Sequence, residues 1–210
     1  MKSSGLVKVQ KTRVDFAIYT SALSTLLLMK IIIIGTGVGG LSAYHTLKKH
    51  LSDSSLELKL IDPRGGPPSP SSISEGAFTF APNGLRAIGN FSPRVLQQIQ
   101  KASYPGSQVF FYNSGGSYLG NMPFGRKEIY GHGMSMIPRS SILQALTSGV
   151  GEKDIQWGSK VVSVREMGTQ VEVEYADGRV DMADLVIGAD GAQSVVRNAL
   201  FKGEQEAQYQ

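Results

Sequence analysis

Three glycines, Gly35, Gly37 and Gly40, stand in the order G-x-G-x-x-G within Gly35-Thr36-Gly37-Val38-Gly39-Gly40, and an acid, Asp62, follows 22 residues after the last of them. Each position has a physical reason. The first glycine permits a tight turn, the second lets a pyrophosphate approach bare backbone, and the third lets a helix pack close to a strand. A helix opening at this loop offers unpaired N–H groups to an anion. A carboxylate at Asp62 can accept hydrogen bonds from ribose hydroxyls. The candidate cofactor-binding residues are therefore Gly35, Gly37, Val38, Gly39, Gly40 and Asp62. Three glycines alone are a weak signal, so the flanking elements decide.

Those elements are the required ones. Ile31–Ile34 is a β-branched run without polar alternation, as a parallel strand buried on both faces requires. Leu41, Tyr44, Leu47 and Leu51 recur at helical spacing while Lys48, Lys49 and His50 face away, predicting an amphipathic helix from about Gly39 to Leu51. Leu56, Leu58 and Leu60 alternate with Glu57 and Lys59 up to Ile61-Asp62, a second strand. A Pro-rich loop from Pro63 leaves the sheet. Ser92-Pro93 reads as an N-cap and first helical residue. The stretch Gln108–Gly133 reads as short antiparallel strands with wide turns, and a helix follows Arg139. Lys160–Arg165, Gln170–Tyr175 and Arg179–Ala183 form a predicted meander, with a tight turn at Ala176-Asp177-Gly178. Leu185-Val186-Ile187 is a further apolar strand, and Val195, Val196 and Leu200 mark a helix after it.

Composition narrows the classes. The 210 residues are 41% hydrophobic and 18% charged, which suits a globular chain and excludes gross disorder. With no cysteine there is no disulfide framework, no Cys-ligated zinc and no thiol nucleophile. The net charge of +4 comes from residues 1–30, where Lys2, Lys8, Lys11, Arg13 and Lys30 face only Asp15. The remainder is neutral, so no nucleic-acid partner is expected. His45, His50 and His132 show no ligand spacing, and no metal site is expected. Tyr44-x-x-x-Lys48 matches a dehydrogenase tyrosine–lysine pair, but it lies in the helix behind the phosphate loop, out of reach of a nicotinamide.

Residues 1–28 combine a basic stretch with the apolar run Phe16–Leu28, which resembles a signal or anchor segment. No small-x-small cleavage site follows it, and Met29-Lys30-Ile31 reads like an ordinary chain start. The expectation is an N-terminal extension over 1–28, an incomplete cofactor domain over 29–201 and a tail over 202–210. The location expected is cytoplasmic, with membrane association only if 1–28 is a real anchor.

A second motif, Gly188-Ala189-Asp190-Gly191-Ala192-Gln193-Ser194-Val195-Val196-Arg197, has the form D-G-x-x-S-x-x-R after a buried strand. Together with the glycine loop, Asp62, Ala81-Pro82-Asn83-Gly84-Leu85-Arg86-Ala87-Ile88 and Pro138-Arg139, it resembles the FAD-dependent aromatic hydroxylases, the flavoprotein monooxygenases similar to 4-hydroxybenzoate and salicylate hydroxylase. The resemblance covers about residues 29–201. It implies an α/β, Rossmann-like FAD/NAD(P)-binding fold with a central parallel sheet, a crossover antiparallel meander and the start of a substrate-side sheet.

The resemblance also implies roles. Gly35, Gly37 and Gly40 would hold the FAD pyrophosphate, Asp62 the adenosine ribose, and Arg139 would contact FAD from the start of its helix. Asp190 and Gly191 would lie near FAD and bear on NAD(P)H use, while Asp190 could equally be a helix cap. The implied reaction uses NAD(P)H as reductant and O2 as oxygen donor to a small-molecule substrate; no catalytic residue is assignable. The third FAD motif of the family, G-D-A-x-H, is nowhere in the chain. Two expectations follow: a truncated oxidoreductase of this family, or a non-catalytic dinucleotide-binding remnant of one.

Overall fold

The structure, a computed structural model, describes residues 29–51, 56–67, 76–123 and 125–201. The readings made for 1–28 and 202–210 lie outside the described residues. The described residues begin with β1 (Met29–Ile34), α1 (Val38–His50) and β2 (Leu56–Ile61). An excursion follows: β3 (Ala77–Phe80), α2 (Pro82–Phe91), α3 (Pro93–Ala102), β4 (Tyr104–Gly106), β5 (Gln108–Tyr112), β6 (Tyr118–Pro123) and the short α4 (Lys127–Tyr130). The chain returns through β7 (Met134–Pro138), α5 (Arg139–Thr147) and β8 (Ile155–Gln156). The described part closes with the meander β9 (Val161–Met167), β10 (Gln170–Tyr175) and β11 (Val180–Ala183), then β12 (Leu185–Gly188) and α6 (Val195–Leu200).

The central sheet has the order β12-β1-β2-β8, and every pairing in it is parallel. Its middle strand shows why Ile31–Ile34 carries no polar residue. Ile31 and Ile33 pack with Leu41, Tyr44, Leu85, Ile99 and Leu146 on the helical side. Ile32 and Ile34 pack with Val161, Val173, Tyr175, Ala183 and Val196 on the meander side. All four isoleucines are at most 4% exposed, so a polar residue at any of them would be buried in one layer or the other.

The meander is held to the sheet by charge as well as by packing. Asp181 on β11 pairs with Lys30 of β1 and lies 3.4 Å from Nζ of Lys59 on β2, while Asp184 accepts from the Lys30 backbone N–H at 2.8 Å. Ser92 caps α3 as expected, its hydroxyl accepting from the Val95 N–H at 3.3 Å. Two small antiparallel sheets, β3-β7-β4 and the hairpin β5-β6, complete the described sheets. No helix among the described residues is long and apolar enough to cross a membrane.

The Tyr44/Lys48 pair is a brace. The Tyr44 hydroxyl donates to Oδ2 of Asp154 at 2.6 Å, and Lys48 Nζ lies 3.7 Å from the same oxygen, so both side chains tie α1 to the turn before β8. Burial first, and then the Asp154 carboxylate, push the Tyr44 phenol pKa up, so it stays a donor. His45 is likewise occupied, with Nε2 2.7 Å from the Leu146 carbonyl oxygen and its ring stacked on Phe91.

Close packing of α1 on β1 rests on Gly40. A Cβ built there would lie 1.9 Å from the Gly35 carbonyl oxygen, which is backbone and cannot swing aside. At Gly37 a Cβ would meet nothing within 4 Å. Gly40→Ala is therefore expected to destabilise the chain by about 3 kcal/mol or more, and Gly37→Ala by less than about 1 kcal/mol. Urea unfolding of the two variants beside the parent checks this; equal midpoints for all three would refute it.

Candidate cofactor site

The carboxyl ends of β12, β1 and β2 meet the amino end of α1, and the predicted residues collect there. Gly35 follows β1 with φ at +104°, and its N–H donates to the Ile61 carbonyl at 2.8 Å. Ala189, after β12, donates its N–H to the Ile34 carbonyl at 2.8 Å. A Cβ on Gly35 would sit 2.3 Å from the Ala189 carbonyl oxygen. The two sequence motifs are thus interlocked backbone against backbone, with no room for a side chain between them.

The loop's outer side is different. Gly37 is the N-cap of α1 and, having no side chain, makes no side-chain cap; the first turn holds no acid. A Cβ on Gly37 or Gly39 would meet nothing within 4 Å. The opening N–H groups therefore face outward across bare backbone with the positive end of the helix dipole behind them, an arrangement suited to an anion. A cleft of about 450 Å³ runs along α1 against α2, lined by Val38, Ser42, Thr46 and His50 on one side and by Gly84, Ile88 and Phe91 on the other.

Asp62 lies just past β2 and is 4% exposed. Its Oδ2 accepts from the Thr36 N–H at 2.9 Å, the Thr36 hydroxyl at 2.6 Å and Arg64 Nη2 at 3.0 Å. Its Oδ1 accepts from the Arg64 N–H at 2.9 Å and from Arg64 Nε at 2.8 Å. Burial alone would raise this carboxyl's pKa, but the hydrogen bonds from Arg64 and Thr36 outweigh it and hold the value at about 2. Thr36 and Arg64 were not singled out from the sequence. The Asp62-Pro63-Arg64 spacing was the available signal, since an Asp side chain commonly bonds the N–H two residues on.

Asp190 holds its own turn together. Its Oδ1 accepts from the Ser194 hydroxyl at 2.6 Å and its Oδ2 from the Val195 N–H at 2.7 Å. Ser194 in turn caps α6, accepting from the Arg197 N–H at 2.9 Å, and the Arg197 guanidinium reaches back to the Ala192 carbonyl. The residues of D-G-x-x-S-x-x-R thus close one local network, and Gly191 allows the turn with φ at +83°. Arg139 opens α5, with its backbone N–H on the Gly76 carbonyl at 3.2 Å and its guanidinium carbon 6.0 Å from the centre of the Phe78 ring. It is exposed and shares no described contact with the glycine loop, Asp62 or Asp190. No cluster of metal-ligating side chains occurs among the described residues.

No family model matches the chain. Among curated proteins it is 29% identical over 181 residues to a salicylate hydroxylase of Pseudomonas putida, covering 84% of this chain and 39% of that protein. It is 30% identical over 177 residues to the FAD-dependent monooxygenase nodM of Hypoxylon pulicicidum, covering 82% and 36%. The chain thus spans about two fifths of the length of these relatives. Among solved structures, Klebsiella pneumoniae HpxO complexed with FAD and uric acid superposes with a TM-score of 0.67 at 23% identity, covering 83% of this chain and 43% of that one. For 2,6-dihydroxypyridine-3-hydroxylase from Arthrobacter nicotinovorans the TM-score is 0.65 at 22% identity, covering 84% and 40%. The α/β fold expected from the residues is the fold of these proteins, and the sequence resemblance to FAD-dependent monooxygenases holds.

The carboxylate network carries a pH dependence. Because the Asp62 pKa is about 2 in the folded chain, below its ordinary value of 3.8, its contribution is complete above about pH 4 and is lost as pH falls through 2. The size is about 2 kcal/mol. Acid unfolding of Asp62→Asn should lose that part of the slope between pH 4 and 2; an unchanged profile would show that the network contributes nothing.

Proposed function

We propose that this chain, similar in sequence to the FAD-dependent monooxygenases, is an FAD-binding unit of an NAD(P)H-dependent monooxygenase that acts with O2 on a small organic or aromatic substrate. The observation that carries the reading is the interlock of two motifs at one sheet end, with an open, uncapped helix terminus in front of it. The residues present fit a dinucleotide: the backbone of Gly37, Val38 and Gly39 offers N–H groups to the pyrophosphate, Gly35 and Gly40 shape the turn that presents them, and Asp62 marks the adenosine end. Arg139 would supply a cation to the cofactor from the start of α5. Asp190 and Gly191 shape the second turn, on the side where NAD(P)H use is expected. When bound, FAD would supply electron transfer from NAD(P)H and activation of O2, while the protein binds, orients and excludes water. No residue here is assigned to the oxygen-transfer step. The setting is read as cytoplasmic, any membrane association depending on residues 1–28.

A second reading is a non-catalytic dinucleotide holder, supported by Asp62 and Asp190, whose carboxylates are both engaged in holding their own turns. One titration series separates the two. The full chain should quench flavin fluorescence on binding FAD, and Gly37→Ala should weaken binding about tenfold with an unchanged melting temperature. Bleaching of the bound flavin by NADPH or NADH supports the oxidoreductase; bound but unbleached flavin supports the holder; a folded chain that binds no FAD refutes both.

A further inference from the structure

We infer that Trp157 is the platform on which the adenine base of the bound dinucleotide stacks. The inference rests on the dinucleotide reading above and extends it to the base, to which that reading gives no residue.

The order of the sheet places the residue. A dinucleotide runs from pyrophosphate through ribose to base, and the sheet runs β1, β2, β8 outward from the glycine loop. The loop follows β1 and Asp62 follows β2, so the next position along the same edge is the end of β8, one strand spacing of about 4.8 Å further on. Trp157 is the first residue past β8.

Backbone bonds tie that position to the Asp62 turn. The Asp62 N–H donates to the Gln156 carbonyl at 3.0 Å, the Gly158 N–H to the Arg64 carbonyl at 2.7 Å, and the Ser159 N–H to the Asp62 carbonyl at 3.0 Å. Trp157 is therefore held from both sides, and Gly158, with φ at +69°, lets the chain turn directly after it. The indole is carried on a fixed support beside the acid that marks the adenosine end.

The fold itself does not call for an indole here. Trp157 is half-buried and belongs neither to the two described core clusters nor to the side chains packed against them. Its indole N–H has no hydrogen bond among the described residues. The ring's neighbour is the Arg64 guanidinium, whose carbon lies 5.9 Å from the ring centre, so one side of the ring carries a cation and the opposite side is left for a ligand. A phosphate or a ribose would need donors or acceptors that an indole face lacks. A planar base is the part of a dinucleotide that such a face holds, because stacking needs only the π-surface.

Trp157 is the only tryptophan in the chain, so tryptophan emission reports on this position alone. ADP added to the full, flavin-free chain should quench that emission to saturation, since ADP carries the base without a flavin that could quench by energy transfer. Binding of FAD, followed by flavin fluorescence, should weaken about tenfold in Trp157→Ala and by less than about threefold in Trp157→Phe, which keeps a stacking ring. The ADP quench is read on the parent chain and so stands whether or not the alanine variant folds. The inference is overturned if the parent binds FAD while ADP leaves the tryptophan emission unchanged, if folded Trp157→Ala binds FAD as tightly as the parent, or if Trp157→Phe loses as much affinity as Trp157→Ala. Failure of the parent to bind FAD at all would instead refute the dinucleotide reading itself.

Discussion

The structure depends on one backbone contact: the turn after β1, at Gly35 and Gly40, lies directly against itself and against Ala189. With a Cβ on Gly40 at 1.9 Å from the Gly35 oxygen and one on Gly35 at 2.3 Å from the Ala189 oxygen, neither position accepts a side chain. The contact draws α1 onto β1 and fixes β12 alongside, since Ala189 donates to Ile34 at the same level. Where the glycine loop points follows from that docking, because α1 begins at Val38 and cannot be tilted while Gly40 is wedged beneath it.

A buried charge next to this contact sets the second constraint. Asp62 stays ionised in a nearly closed site because five donors meet it, and those donors belong to the glycine loop and to the turn after β2. Removing a partner would leave an uncompensated buried carboxylate, the costly half of any buried ion pair. The loop is thus held from beneath by exclusion of side chains and from the flank by charge, before any ligand arrives.

Much of this was legible in the sequence where a single interaction dominates. Ile31–Ile34 could only be a strand buried on both faces, and the strand–loop–helix unit, the meander and the Ser92 cap follow from periodicity and turn residues. α2 was legible only as the motif Ala81–Ile88, because Gly84 and Gly89 lower its helical propensity; they are there for packing, against Phe80 and Leu96. The two-residue strand β8 is too short to show any period. Leu185-Val186-Ile187 reads as a fully buried strand yet is partly exposed, because β12 stands at the edge of the described sheet. At the site, the glycines and Asp62 announce themselves through spacing. The saturation of Asp62 does not, since it depends on where the Arg64 and Thr36 side chains meet in space.

The order of the chain is unevenly founded. Around the glycine loop, apolar burial on both sides of β1 and the interlocked turns act together. In the hairpin β5-β6 the opposite holds: Phe110, Phe111, Tyr112, Tyr118 and Leu119 are all 47–67% exposed, so burial contributes little. A lone two-stranded ladder is marginal in water. What pins this one is local and polar, the Tyr118 hydroxyl on Asn121, Asn121 on Gln108, and the edge contact of Tyr112 with Tyr118 at 5.7 Å. Such bonds between exposed groups exchange with water at little net gain. Local opening should therefore begin in the hairpin and leave the glycine-loop end closed, because the two regions share no core cluster: neither cluster of buried residues includes any part of β5 or β6.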